Sequence, residues 1–173
     1  MMDFDVLKRQ PNDVLLRVYS QTLEELRRRG VVRSSNSPVA DYAEKIAARA
    51  LGLTLIGKSS AGHDAVDAAG QRYQIKGRRV TSHNASRQLS FIRNLDVRPF
   101  DSLVGVLFDA EFAVQRACVI PFEIVQARAG FSKHVHAHRL MLRDEVWSIA
   151  GVRDVTAEIA RAAEKICAGA GHC

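Results

Sequence analysis

The sequence predicts an α/β domain in which a mixed sheet is flanked by helices. Three observations carry that prediction. The chain has 173 residues, the size of one domain. It is 47% hydrophobic and 25% charged, enough apolar material for a real core and too much for intrinsic disorder. Its apolar patterning reads helix, helix, three strands, polar loop, strand, strand, helix, strand, helix, an order that layers helices on a sheet. On that reading residues 1–36 are an N-terminal helix and linker packing on the core, 37–168 are the core, and 169–173 fray.

The first helix is expected over Pro11–Arg29, where Val14, Leu15, Val18, Leu23 and Leu26 recur at helical spacing. Arg27, Arg28 and Arg29 suit its negative end and Gly30 stops it. Those arginines could face phosphate or simply water. After the polar stretch Arg33–Ser37, Ser37-Pro38 opens a second helix, with Ser at the cap and Pro in the first turn. It runs to Leu51 and stops at Gly52, with Val39, Ala43, Ile46, Ala47 and Ala50 as its buried stripe.

Strands are expected next. Leu53–Ile56 is a short apolar run, and Asp64–Asp67 and Arg72–Lys76 flank Ala-Ala-Gly as a hairpin. Leu103–Phe108 is continuously apolar, so it is a central strand buried on both faces. Val114–Ile120 is a further strand, Pro121 opens a short helix over Phe122–Arg128, and His134–Leu142 is extended. Asp154 or Thr156 caps a last helix ending near Ala168, and Trp147 belongs to the core.

Composition narrows the function classes. No apolar run approaches the ~20 residues of a membrane span. Met1–Asp5 carries two acids and no apolar stretch, so no signal peptide is expected and the expected location is the cytoplasm. The three cysteines form no CxxC, which argues against a disulfide framework or a Cys-rich zinc site, and Cys118 reads as a core hydrophobe. The net charge is +6, from 25 Lys and Arg against 19 acids, and 19 of the basic residues are Arg. Arg offers planar, bidentate phosphate recognition, so a polyanionic partner is favoured, although abundant Ala and Arg also fit GC-rich codon usage. Nothing resembles a P-loop, a Gly-rich dinucleotide turn or a Ser nucleophile elbow.

The chemistry is concentrated in Gly62–Lys76. Gln74 and Lys76 lie two apart on one strand and share a face, while Ile75 points into the core. A hairpin folded about Ala68-Ala69-Gly70 brings Asp64 to the Gln74/Lys76 end. A carboxylate, an amide oxygen and the Ile75 backbone carbonyl are hard ligands for Mg²⁺ or Mn²⁺. Lys76 can orient a water or offset transition-state charge. Asp67 is a rival acid, but it lies close to the turn, where Asp commonly has a turn-forming role.

Asp64, nine intervening residues and then Gln74-Ile75-Lys76, preceded by an acidic helix, resembles the PD-(D/E)XK nuclease superfamily, in the Q-x-K variant of Mrr-like endonucleases. The resemblance covers roughly residues 37–128 and is sharpest over 64–76. It implies a restriction-endonuclease-like fold of αβββαβ order and a Mg²⁺-dependent endodeoxyribonuclease in a restriction, defence or repair context. It implies that Glu44, Asp64 and Gln74 hold the metal and that Lys76 is the catalytic lysine. Two positions depart from the pattern: His63 stands where the motif has Pro, and the neutral Gln74 stands where Asp or Glu is commoner. The departure at Gln74 leaves a second reading open, a catalytically inactive nucleic-acid- or partner-binding module of the same fold.

Glu44 has no basic neighbour three or four residues away, so no ordinary helical pair explains it, whereas Asp41 has Lys45 four on and reads as an exposed pair. Downstream of Lys76, Arg78, Arg79, Ser82, Asn84 and Arg87 are the candidate phosphate contacts, with Arg93 and Arg98 behind them. DNA is the expected partner, and the small chain leaves room for a homodimer or a place in a larger complex. His134, His136 and His138 alternate, so a strand would put three imidazoles on one face, suited to Zn²⁺ or to phosphate.

Overall fold

The computed structural model describes residues 4–34, 37–57 and 62–168; the frayed tail expected at 169–173 lies outside the described residues. Helix α1 spans Asn12–Arg28 and α2 spans Pro38–Leu51. Short strands β1 (Thr54–Leu55) and β2 (Ala65–Val66) lead into the long β3 (Arg72–Arg79). Then follow β4 (Ser102–Phe108), β5 (Val114–Pro121) and α3 (Phe122–Arg128). A small hairpin of β6 (Gly130–Ser132) and β7 (Ala137–Arg139) precedes β8 (Arg153–Asp154) and α4 (Thr156–Ala168).

The main sheet has the order β1-β2-β3-β4-β5-β8. Only β3 and β4 run parallel; the other neighbours are antiparallel. The fold is therefore mixed α/β in a single domain, as the pattern of elements predicts.

The sheet separates two cores. Val104, Val106 and Phe108 of β4 join Tyr73 and Ile75 of β3 under α2 and α4. Leu103 and Leu107 face the other way, with α3, the 89–100 segment and Leu140, Leu142 and Val146. Two glycines make this geometry possible. Gly52 takes a left-handed φ of 65° and ends α2. Gly77 lets α2 lie directly on β3, because a Cβ there would come within 2.8 Å of the Val39 carbonyl oxygen.

Three local expectations come out differently. The first helix forms where the spacing puts it, yet only Leu23 of its apolar set is buried; Leu15 and Val18 are 36% and 39% exposed. Periodicity finds an apolar stripe but not the element that will cover it. The residues from His134 to His136 form the turn of the β6–β7 hairpin, with His136 at φ 45°, so the three histidines do not share one strand. Asp41 is not exposed: it is buried and accepts hydrogen bonds from the Arg33 backbone N–H and the Ser34 hydroxyl, both at 2.8 Å. Among the described residues no helix is long and apolar enough to cross a membrane.

Candidate functional site

The site forms where β2 leaves β3. β2 pairs with β3 only through Ala65–Tyr73 and Val66–Arg72. Asp67 makes the turn that closes this hairpin, its carboxylate accepting from the backbone N–H groups of Ala69 and Gln71, both at 2.9 Å. That is the turn-forming role its position suggested.

At the other end of the hairpin the Asp64 N–H still donates to the Tyr73 carbonyl at 2.8 Å. Alternate residues of a strand turn both backbone groups to the same neighbour, so Ile75, two on from Tyr73, also addresses the β2 side. No β2 residue opposes it there. The Asp64 carboxylate takes the place of the missing strand and accepts the Ile75 N–H at 2.7 Å. The Ile75 carbonyl consequently points into the same opening. The same carboxylate oxygen of Asp64 accepts a hydrogen bond from the Gln74 amide. Asp64, Gln74 and the Ile75 backbone are thus brought into direct contact.

Lys76 follows on the face shared by Gln74. Its neighbour in β4 is Gly105, and Leu142 drops into the space a side chain would fill, 2.7 Å from where a Cβ would sit. Lys76 makes no hydrogen bond or ion pair among the described residues. Burial pushes its ammonium below the ordinary lysine value; the charge of Asp64 opposes that shift, and that of Arg93 adds to it. Lys76 therefore sits within the electrostatic reach of Asp64 and Arg93.

Glu44 is buried on α2 and is ion-paired with Arg33. The same guanidinium donates to the Ile56 carbonyl at 3.0 Å, and the Ile56 N–H donates to the Asp64 carbonyl at 3.0 Å. This chain of contacts ties Glu44 to the Asp64 end of the sheet, but its charge is taken up by Arg33. No residue spacing signals that pair, because Arg33 lies eleven residues upstream in an aperiodic stretch. His63, beside Asp64, has a buried Nδ1 without a partner among the described residues. Its predecessor Gly62 has φ 103° and lies so close to Pro99 that a Cβ would come within 2.7 Å of the proline ring.

The downstream polar residues are largely committed to the fold. Arg78 donates to the Ser86 carbonyl at 2.9 Å and to the Asn84 side-chain oxygen at 2.7 Å, pinning the 81–88 loop to β3. Arg79 holds the Ala110 carbonyl and covers the Phe112 ring. Arg87 pairs with Asp144 at 2.7 Å, and Arg98 pairs with Glu123 at 2.6 Å. Ser82 and Arg93 are exposed. Among the described residues no group of three or more His, Cys, Asp or Glu is placed to hold a metal, and the histidines 134, 136 and 138 form none. No family model matches the chain, and no curated protein matches it.

Proposed function

We propose that the chain is a metal-dependent endodeoxyribonuclease that hydrolyses DNA phosphodiester bonds on a restriction-endonuclease-like core. The observation that supports this most strongly is the Asp64 carboxylate, held against the Gln74 amide and the Ile75 N–H at an open strand edge, with the half-buried Lys76 next along the same face. The donors fit Mg²⁺ or Mn²⁺: a carboxylate, an amide carbonyl and the Ile75 backbone carbonyl are all hard oxygens. A single free carboxylate is enough when substrate phosphate completes the shell, as is usual for Mg²⁺. Glu44 reaches such a cation only by giving up Arg33.

When bound, the cation would polarise the phosphate and lower the pKa of the attacking water. The protein groups do the rest. The N–H of Ile75 and the Gln74 amide hold the Asp64 carboxylate in one orientation. Burial makes the Lys76 ammonium give up its proton more readily than a free lysine, and in its charged form Lys76 offsets negative charge on the phosphorus. Arg93 adds a second positive charge beside it.

The test is plasmid nicking with Mg²⁺ or Mn²⁺, comparing the wild type with Asp64→Ala and Lys76→Ala. Cleavage by the wild type and its loss in both variants is the expected result. The second reading, an inactive nucleic-acid-binding module, is favoured by one observation: Arg33 neutralises Glu44 and Gln74 is neutral, so one carboxylate carries the whole negative charge of the site. DNA binding without cleavage in either metal would establish it.

A further inference from the structure

The positive charge of the chain is not spread evenly. Residues 76–94 and 124–143 hold nine of the 25 Lys and Arg and none of the 19 acids, so the remainder carries 16 basic against 19 acidic side chains. The whole basic surplus lies in two segments. The fold joins them: Ile92 and His138 exchange backbone hydrogen bonds at 2.9 and 2.8 Å, and the Leu89 N–H donates to the Leu140 carbonyl at 3.0 Å. His138 is in turn paired with Phe131 across the β6–β7 hairpin.

Phe131 is 53% exposed on this surface, the most exposed large apolar side chain in these two segments. It is not loose. The His138 ring lies 5.1 Å from it and the His136 ring 6.4 Å, edge-on. Lys133 and His134 flank it at the exposed hairpin tip. An aromatic ring held by two imidazoles beside Lys133, in segments that carry no acidic residue, is the composition that holds nucleotide bases by stacking and their phosphates by charge. A duplex hides its base faces, so such a ring recognises unpaired bases.

We infer that the β6–β7 hairpin is a stacking platform for unpaired bases of a DNA strand, centred on Phe131 with Lys133 as its phosphate contact. Ile92, one residue before Arg93, lies two strand spacings, about 10 Å, from Phe131 along this hydrogen-bonded row. Arg93 is one of the charges that act on Lys76, so this row of strands runs from the hairpin toward the Asp64–Lys76 site. The inference rests on the nuclease reading for its choice of DNA, and it gives that site a substrate class: flaps, single strands or distorted junctions rather than plain duplex.

The test is fluorescence anisotropy in EDTA, with an oligo-dT strand and a duplex of equal length as probes. The wild type is expected to bind the single strand more tightly. Phe131→Ala should weaken that binding about five- to a hundredfold, the range for loss of one stacked base, and change duplex binding by less than about twofold. Phe131→Trp should restore it. Lys133→Ala should weaken both probes and reduce the slope of log affinity against log salt by about one. Equal loss for both probes on Phe131→Ala, no change, or no binding to either probe would overturn the inference. Because cleavage plays no part in the readout, a protein that binds through Phe131 yet never nicks DNA defeats the nuclease reading alone. One that nicks but is indifferent to Phe131 defeats only the platform.

Discussion

Glu44 and Asp64 are carboxylates linked through Arg33 and Ile56 at one end of the sheet, and the fold holds them in opposite ways. Glu44 faces a guanidinium, and the pair is electrically closed. Asp64 is held by neutral donors, an amide and a backbone N–H, so its full charge stays available to a cation. Holding a carboxylate in place and neutralising it are separate tasks. The partner decides whether an acid is structural or free to do chemistry.

The largest effects should fall on the Asp64 side of this comparison. Asp64→Asn keeps an acceptor for the Ile75 N–H but removes the charge, so nicking should fall about a hundredfold or more while the fold survives. Lys76→Ala should match it. Glu44→Gln should lower nicking far less. Gel-based nicking rates, with thermal melts alongside, measure all three. Equal losses for Glu44→Gln and Asp64→Asn would erase the distinction and make Arg33 a displaceable occupant of a shared site.

The Glu44 side should instead dominate stability. Removing one member of a fully buried ion pair costs about 3–5 kcal/mol. Arg33 keeps 30% of its side chain exposed, so Arg33→Ala should cost about 2–3 kcal/mol, or a fall in Tm of about 5–10 °C. Arg33→Met combined with Glu44→Gln should recover part of that loss, since neither charge is then stranded. Urea denaturation of Arg33→Met, Glu44→Gln and the double variant measures the coupling. Additive losses would mean the pair contributes nothing as a pair.

A smaller change at the Asp64 site alters charge and little else. Gln74→Glu places a second carboxylate against Asp64, at the position where the resembled motif commonly has one. Cation affinity grows with ligand charge, so Mn²⁺ binding by calorimetry should tighten about tenfold, equivalent to ~1.4 kcal/mol. Unchanged Mn²⁺ binding would show that Gln74 does not face the cation.

The sequence made one carboxylate legible and the other only in part. Asp64, Gln74 and Lys76 could be placed together because a hairpin is local: a turn at Asp67–Gly70 and the two-residue side-chain period fix which side chains meet. Helix α2 and strand β4 were equally plain, from Ser37-Pro38, Gly52 and an unbroken apolar run. The partner of Glu44 was hidden because Arg33 reaches it through a loop with no periodic signal. The same limit applies to Asp41, read as exposed and found buried under that loop. The arginines after Lys76 were visible as a basic cluster, but their partners, Asp144, Asn84 and the Ala110 carbonyl, depend on how distant segments pack. Charge pattern along the chain marks a surface; it does not say which charges remain free.

The smallest effect concerns pH, and its sign follows from burial. Lys76 has a lower pKa in the folded chain than the ordinary lysine value of 10.5, chiefly because burial disfavours its ammonium. Between the depressed value and 10.5 the unfolded chain binds more protons than the folded one, so stability must rise with pH across that window. Below the window both states are protonated, and the cost of burying the ammonium is fully felt. Lys76→Met keeps the length of the side chain and removes the charge. It should raise Tm at neutral pH and flatten its rise toward pH 10 relative to the wild type. The Asp64→Asn variant should steepen that rise, because the carboxylate opposes the shift. Parallel Tm–pH curves for wild type and Lys76→Met would mean that the ammonium is solvated, and the contrast between a free charge and a closed pair would then lose its basic member.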